Sequence, residues 1–337
     1  MNSNWFNLVP KVELHLHLEG AIPHEALWTL IQKYDGDPEA PSLDALKEKF
    51  KFRDFPHFLE NWVWKNQFIR EYEDFTFIAE EVAKDLARQN IRYAEVFFSP
   101  SDFTDHGLQT QKLAEAIRIG LSSVIEIEIF LIADLVRNYG PEKAAITLAE
   151  VSEAREFGII GIGIGGAEHH FPPELFESVF KEARRLGFYT SAHAGEAMGA
   201  DSIWGAIRSL GVDRIGHGTR AFEDDALLDY LTNHKIPLEM CPISNVRTGV
   251  VPSFEEHPIR GFFERGIVVT INTDDPKMFG NSLAKEYELL VEKLGFSRIE
   301  ICELILQGIR SSWQSDDKKN QLVETFCNDP FWIIDAE

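Results

Sequence analysis

Cysteine is scarce in this 337-residue chain: Cys241, Cys302 and Cys327 lie far apart and form no CxxC pair. An odd, scattered set argues against a disulfide framework and fits a reducing cytoplasm. Positive charge is also in deficit, with 33 Lys and Arg against 55 Asp and Glu and a formal net charge of −22. Such a field repels nucleic acid and anionic membrane surfaces. No apolar run is long enough to span a bilayer. The opening Met-Asn-Ser-Asn-Trp-Phe-Asn has no basic or apolar segment of a secretory signal, so a cytoplasmic protein is expected. Heptads, low-complexity segments and internal repeats are lacking, and oligomeric state leaves no readable signature.

What is present is a series of short β-rich apolar runs: Val12 to His17, Ile91 to Ser99, Ile127 to Leu135, Ile159 to Gly166, Phe188 to Gly195, Arg214 to Gly218, Pro237 to Cys241 and Ile267 to Thr273. Most are nearly continuous in Val, Ile, Phe and Leu, as strands buried on both faces of a parallel sheet are. Helical patterns separate them, such as Phe75, Ile78, Val82 and Leu86 on one face. Gly158, Gly187 and Gly266 stand just before strands, where helices stop. Eight strands alternating with helices predict an α/β fold, a (β/α)8 barrel forming one domain over 1–337. An open doubly wound sheet fits less well, because no GxGxxG turn follows the first strand. Gly161, Gly163, Gly165 and Gly166 sit inside an apolar run instead. Residues 24–90 are too long for one crossover and read as a helical insertion after the first strand. It includes an aromatic-rich stretch of Phe55, Phe58, Trp62, Trp64 and Phe68, which either packs on the barrel or covers its mouth.

Barrels of this kind place their chemistry at the C-terminal ends of the strands. His15 and His17, two residues apart, share one face of the first strand, which alone reads equally as a metal-ligand pair or a hydrogen-bonded core pair. Further ionisable groups end other strands: His193 with Glu196 after the fifth, His217 after the sixth, and Asp274-Asp275 after the eighth. Each has an innocent reading alone, but coincidence at four strand ends does not. Three imidazoles and a carboxylate suit Zn²⁺ with an open position, and ligand type also admits Fe²⁺ or Co²⁺. No lysine ends the fourth run, Gly165-Gly166-Ala167-Glu168, which favours one metal over a lysine-bridged pair. Glu196 lies three residues from His193, close enough to act as a proton donor in the same pocket. Either aspartate could ligate while the other binds substrate.

The segments HLHLEG, SAHAGE, RIGHGTR, CPISN and TINTDDPKMF resemble the adenosine deaminase family, in order and over essentially the whole chain. The resemblance implies one Zn²⁺ per chain held by His15, His17, His193 and Asp274, and hydroxide attack on C6 of a 6-aminopurine. It further implies that Glu196 protonates N1 and that His217 orients the hydroxide. Asp275 would bond N7 and the Gly166 N–H would reach N3. Glu19 stands where animal adenosine deaminases carry Asp against the ribose 5′-hydroxyl, and many bacterial relatives, adenine deaminases among them, also have Glu. GHGTR and NTDD look closer to nucleoside-type members, so adenosine is the expected partner, ahead of aminodeoxyfutalosine and free adenine. The benzoate of aminodeoxyfutalosine would want a cation at the mouth, for which Arg137 and Arg247 are candidates unless they form rim salt bridges.

Overall fold

A computed structural model describes residues 5–51 and 55–332, apart from the side chains of Phe55, Pro56 and Asp105. Eight parallel strands follow one another round the sheet in chain order. They are β1 (Lys11–His17), β2 (Ile91–Phe98), β3 (Glu128–Asp134), β4 (Ile159–Gly163), β5 (Tyr189–Ala194), β6 (Arg214–His217), β7 (Leu238–Met240) and β8 (Val269–Ile271). Their residues are buried almost throughout, which is why the runs read as continuous rather than alternating.

Closure between the last and first strands is made by few groups. Leu16 bridges to Asp274, whose N–H donates to the His15 carbonyl at 3.0 Å and whose carbonyl accepts from His17 N–H at 2.9 Å. Side chains finish the seam: Asn272 Oδ1 accepts from Leu14 N–H at 2.9 Å, and Glu13 Oε1 accepts from Thr273 N–H at 2.9 Å. The barrel thus closes at the residues on which its site depends.

The expected runs overshoot the ladders at their ends. The fourth stops being a strand at Gly163 because the Gly165 N–H turns to Asp134 Oδ1 at 2.8 Å instead of to a neighbouring strand. The glycines of this run make room. A Cβ on Gly163 would stand 2.4 Å from the Phe97 ring, and that ring packs against His15 and His17 with centroids 4.8 and 5.1 Å away.

Between β1 and β2 run helices His24–Lys33, Leu43–Lys49, Phe55–Asn66 and Tyr72–Arg88. The last buries Phe75, Ile78, Val82 and Leu86. Its Thr76 hydroxyl donates to the Ala116 carbonyl of the next crossover helix, Thr110–Ser122, at 3.0 Å. Tyr72–Arg88 is therefore part of the outer helix ring, and the added helices are the three before it. No helix among the described residues is long and apolar enough to cross a membrane.

Candidate active site

At the C-terminal end of the barrel, a cavity of about 560 Å³ is floored by His17, His193, His217, Glu196, Asp274 and Asp275. The β1 pair meets β5 and β8 there. His193 Nε2 lies 3.1 Å from His15 Nε2 and 3.2 Å from His17 Nε2. Asp274 Oδ1 lies 3.6 Å from His15 Nε2 and 3.4 Å from His17 Nε2. His217 joins the group, for the ligand-type atoms of His15, His193, His217 and Asp274 all fall within 4.8 Å of one another. His217 and Asp274 hold left-handed backbone angles, φ 60° and 65°, conformations that non-glycine residues keep only where surroundings enforce them.

This donor set fits one divalent cation. Four ligand atoms arranged tetrahedrally at about 2.0–2.2 Å from an ion stand roughly 3.3–3.6 Å apart, close to the separations seen here. The electrostatics agree. Burial holds His17 at about 4 and His193 well below its ordinary value, so both imidazoles are neutral. At His15 burial is outweighed by Asp274 and Glu239, which push it up to about 10. Positive charge is thus favoured between His15 and Asp274.

Residues behind the cluster orient it. Glu239 Oε2 lies 2.7 Å from His15 Nδ1, which leaves Nε2 facing inward. The same carboxylate accepts from Ser191 Oγ at 2.9 Å and from Arg214 Nε at 2.5 Å. Arg214 also pairs with Glu95 at 2.6 Å. Burial would raise Glu239, but Arg214 and His15 hold it down at about 2. Ser244 Oγ donates to Asp274 Oδ2 at 2.6 Å. Asn245 Nδ2 lies 3.1 Å from His217 Nδ1.

Glu196 sits beside the cluster, Oε2 3.5 Å from His217 Nε2. Its carboxyl is pushed up to about 8, by burial first and then by the charges of Asp274 and Glu168, so it carries a proton at neutral pH. The loop bearing it is held by Glu168, whose carboxylate accepts the N–H groups of Gly195, Glu196, Ala197 and Met198 at 2.7–3.2 Å.

Asp275 and Gly166 line the cavity, and Asp275 Oδ1 has no hydrogen-bond partner. Asp275 crowds the turn after β1: a Cβ on Gly20 would lie 1.7 Å from its Oδ1, so the glycine of HLHLEG is a steric requirement. Glu19 lies off the cavity wall. It is buried, one oxygen accepts from Ser99 N–H at 3.0 Å, and the other has no partner. Ser99 and Asp102 line the wall near it.

The helix Phe55–Asn66 roofs the cavity with Phe58, Leu59, Trp62 and Val63, while the Phe55 side chain lies outside the described residues. Trp62 Nε1 donates to Asp102 Oδ2 at 3.2 Å, and Tyr139 hydroxyl donates to the other oxygen at 3.1 Å. Neither candidate cation lines the cavity. Arg137 is fully buried, and its guanidinium donates to the carbonyls of His193 at 2.6 Å and Phe171 at 3.0 Å. Arg247 is exposed and does not line the cavity, and no lysine or arginine does among the described residues. Sequence reasoning missed Glu239, Ser244, Asn245 and Glu168 as supporting groups, although Ser244 and Asn245 lie within CPISN and Glu239 interrupts an apolar run.

Comparison with known proteins agrees with this geometry. The adenosine deaminase family profile matches residues 10–328. The chain is 36% identical to an adenosine deaminase of Edwardsiella ictaluri, covering 93% of this chain and 96% of that one. It is 34% identical to an aminodeoxyfutalosine deaminase of Streptomyces avermitilis, over 90% and 87% of the two chains. An adenine deaminase structure from Arthrobacter aurescens superposes with TM-score 0.90 at 31% identity, covering 94% and 98%. An amidohydrolase from Burkholderia ambifaria, solved with bound zinc, gives TM-score 0.88 at 29% identity, covering 96% and 91%.

Proposed function

The chain belongs to the adenosine deaminase family, and from that premise we propose that it hydrolyses the 6-amino group of an uncharged purine nucleoside, adenosine first, with one zinc ion per chain. The carrying observation is the meeting of a His/Asp cluster with the Glu196 carboxyl on the floor of a cavity that no lysine or arginine among the described residues lines.

His15, His17, His193 and Asp274 would hold the ion, whose chemistry is to make a water molecule nucleophilic near neutral pH. Around it the chain's own groups act on the purine. Glu196 gives its proton to N1, which draws electrons from C6 and opens it to attack. His217 directs Nε2 at the attacking oxygen and stabilises the charge that develops there. Asp275, which lines the cavity, bonds N7, and the Gly166 N–H bonds N3. Ammonia leaves and a 6-oxopurine remains. The helix Phe55–Asn66 excludes water with Trp62 and Phe58.

Among the described residues no lysine or arginine lines the cavity, which disfavours a 5′-phosphate or a benzoate substituent, since desolvating an anion there costs free energy without a compensating partner. Free adenine is the second reading, favoured by Glu19, whose carboxyl is tied to Ser99 N–H away from the wall where a ribose would lie. An ammonia-release assay with adenosine, 2′-deoxyadenosine, adenine, AMP and aminodeoxyfutalosine separates these. Adenosine is expected to give the highest kcat/KM and AMP the lowest. A ranking led by AMP or aminodeoxyfutalosine would overturn the uncharged-nucleoside assignment.

A further inference from the structure

We propose that His257 is a positioning residue that sets the tautomer of His217 through Asn245. The proposal rests on the deaminase reading only for its kinetic consequence. The chain of assignments starts from a group that can only donate, the main-chain N–H of Ile259, which points at His257 Nδ1 at 3.3 Å. That nitrogen must accept. Burial holds His257 at about 3, so the ring is neutral and its one proton sits on Nε2. His257 Nε2 lies 3.2 Å from Asn245 Oδ1, and the Thr219 hydroxyl donates to the same oxygen at 2.9 Å. Two donors on one side fix the amide with its oxygen toward them. Its nitrogen is then turned to His217 Nδ1 at 3.1 Å. His217 Nδ1 accepts, and the proton of this imidazole lies on Nε2, 3.5 Å from Glu196 Oε2.

The outcome separates histidines that proximity alone groups together. His15 uses Nδ1 toward Glu239, which leaves Nε2 facing the position an ion would take. His217 uses Nδ1 as an acceptor and presents an Nε2–H. The first is a ligand and the second a hydrogen-bond donor, although both fall in one cluster. His257 lies outside the residues lining the cavity and is 3% exposed. It acts solely by holding Asn245 in one of two nearly isosteric orientations.

The test is long-range ¹H–¹⁵N NMR of the histidine rings together with steady-state kinetics. In the wild-type protein His217 is expected as the Nε2–H tautomer, with or without metal. Asn245→Asp should move the proton to Nδ1, because the new carboxylate can only accept, and should lower kcat by roughly a hundredfold with KM little changed. His257→Leu should give a mixture of tautomers and an intermediate kcat, and His257→Gln, which can still donate to Asn245, should restore both. An Nδ1–H tautomer in the wild type, or a wild-type kcat in Asn245→Asp, would overturn the proposal. If no purine is deaminated by the wild type but the tautomers follow this order, the relay stands and the deaminase reading fails. If Asn245→Asp does not fold, the His257→Leu and His257→Gln pair decides.

Discussion

Ser244 donates its hydroxyl to Asp274 Oδ2 at 2.6 Å, so that Oδ1 is left facing His15 and His17. A hydrogen bond of this kind fixes which carboxylate oxygen is presented and keeps the side chain from rotating. Ser244→Ala should therefore bind zinc about 10–100-fold more weakly while keeping the fold. Competition with a chromogenic chelator measures this, and unchanged affinity would show that Asp274 is oriented by its strained backbone alone.

Glu196 gives the account its pH dependence. Its carboxyl is raised to about 8, chiefly by burial, so the protonated form prevails below that value and is lost above it. Activity that needs the proton should fall as pH rises through this region. Glu196→Gln should retain metal, lose about 10²–10⁴ in kcat and show no such alkaline limb. A pH–rate profile of both proteins checks the sign, and a limb that persists in the variant would assign it to another group.

Arg214 is buried between Glu95 and Glu239, with contacts of 2.6 and 2.5 Å. Its loss strands two carboxylates in the barrel, one of them the partner of His15. Arg214→Met is expected to cost about 3–5 kcal/mol of stability. Urea denaturation of the metal-free protein measures it, and a change below 1 kcal/mol would mean that water reaches the pair.

Glu168 holds four successive N–H groups of the loop that carries Glu196. Glu168→Ala should lower stability by about 1–3 kcal/mol and lower kcat more than it raises KM, because the loop is released rather than the substrate contacts removed. Denaturation together with steady-state kinetics reads both effects. Loss confined to KM would contradict this role.

The barrel was legible because its strands are buried on both faces and so read as apolar runs, and because chemistry in such barrels gathers at strand ends. The ends themselves were not. Gly165 leaves the ladder for Asp134, and Thr273 for Glu13, exchanges that depend on side chains distant in sequence. The groups that orient the site were hidden for the same reason. Glu239 sits on β7 and meets His15 of β1 only once the barrel closes, although an acid inside an apolar strand is itself a signal that a buried partner exists. Arg137 shows the converse. Its position after β3 suggested a mouth cation, but its side chain turns inward to main-chain carbonyls.

Metal dependence of deamination tests the central claim most directly. The protein is stripped with a chelator, dialysed and titrated with zinc while ammonia release from adenosine is followed. Activity should be absent in the stripped protein and should rise linearly to a plateau at one zinc per chain, with His17→Ala failing to recover at that stoichiometry. Full activity in the stripped protein, or no ammonia from adenosine or any other 6-aminopurine at any zinc level, would contradict the account.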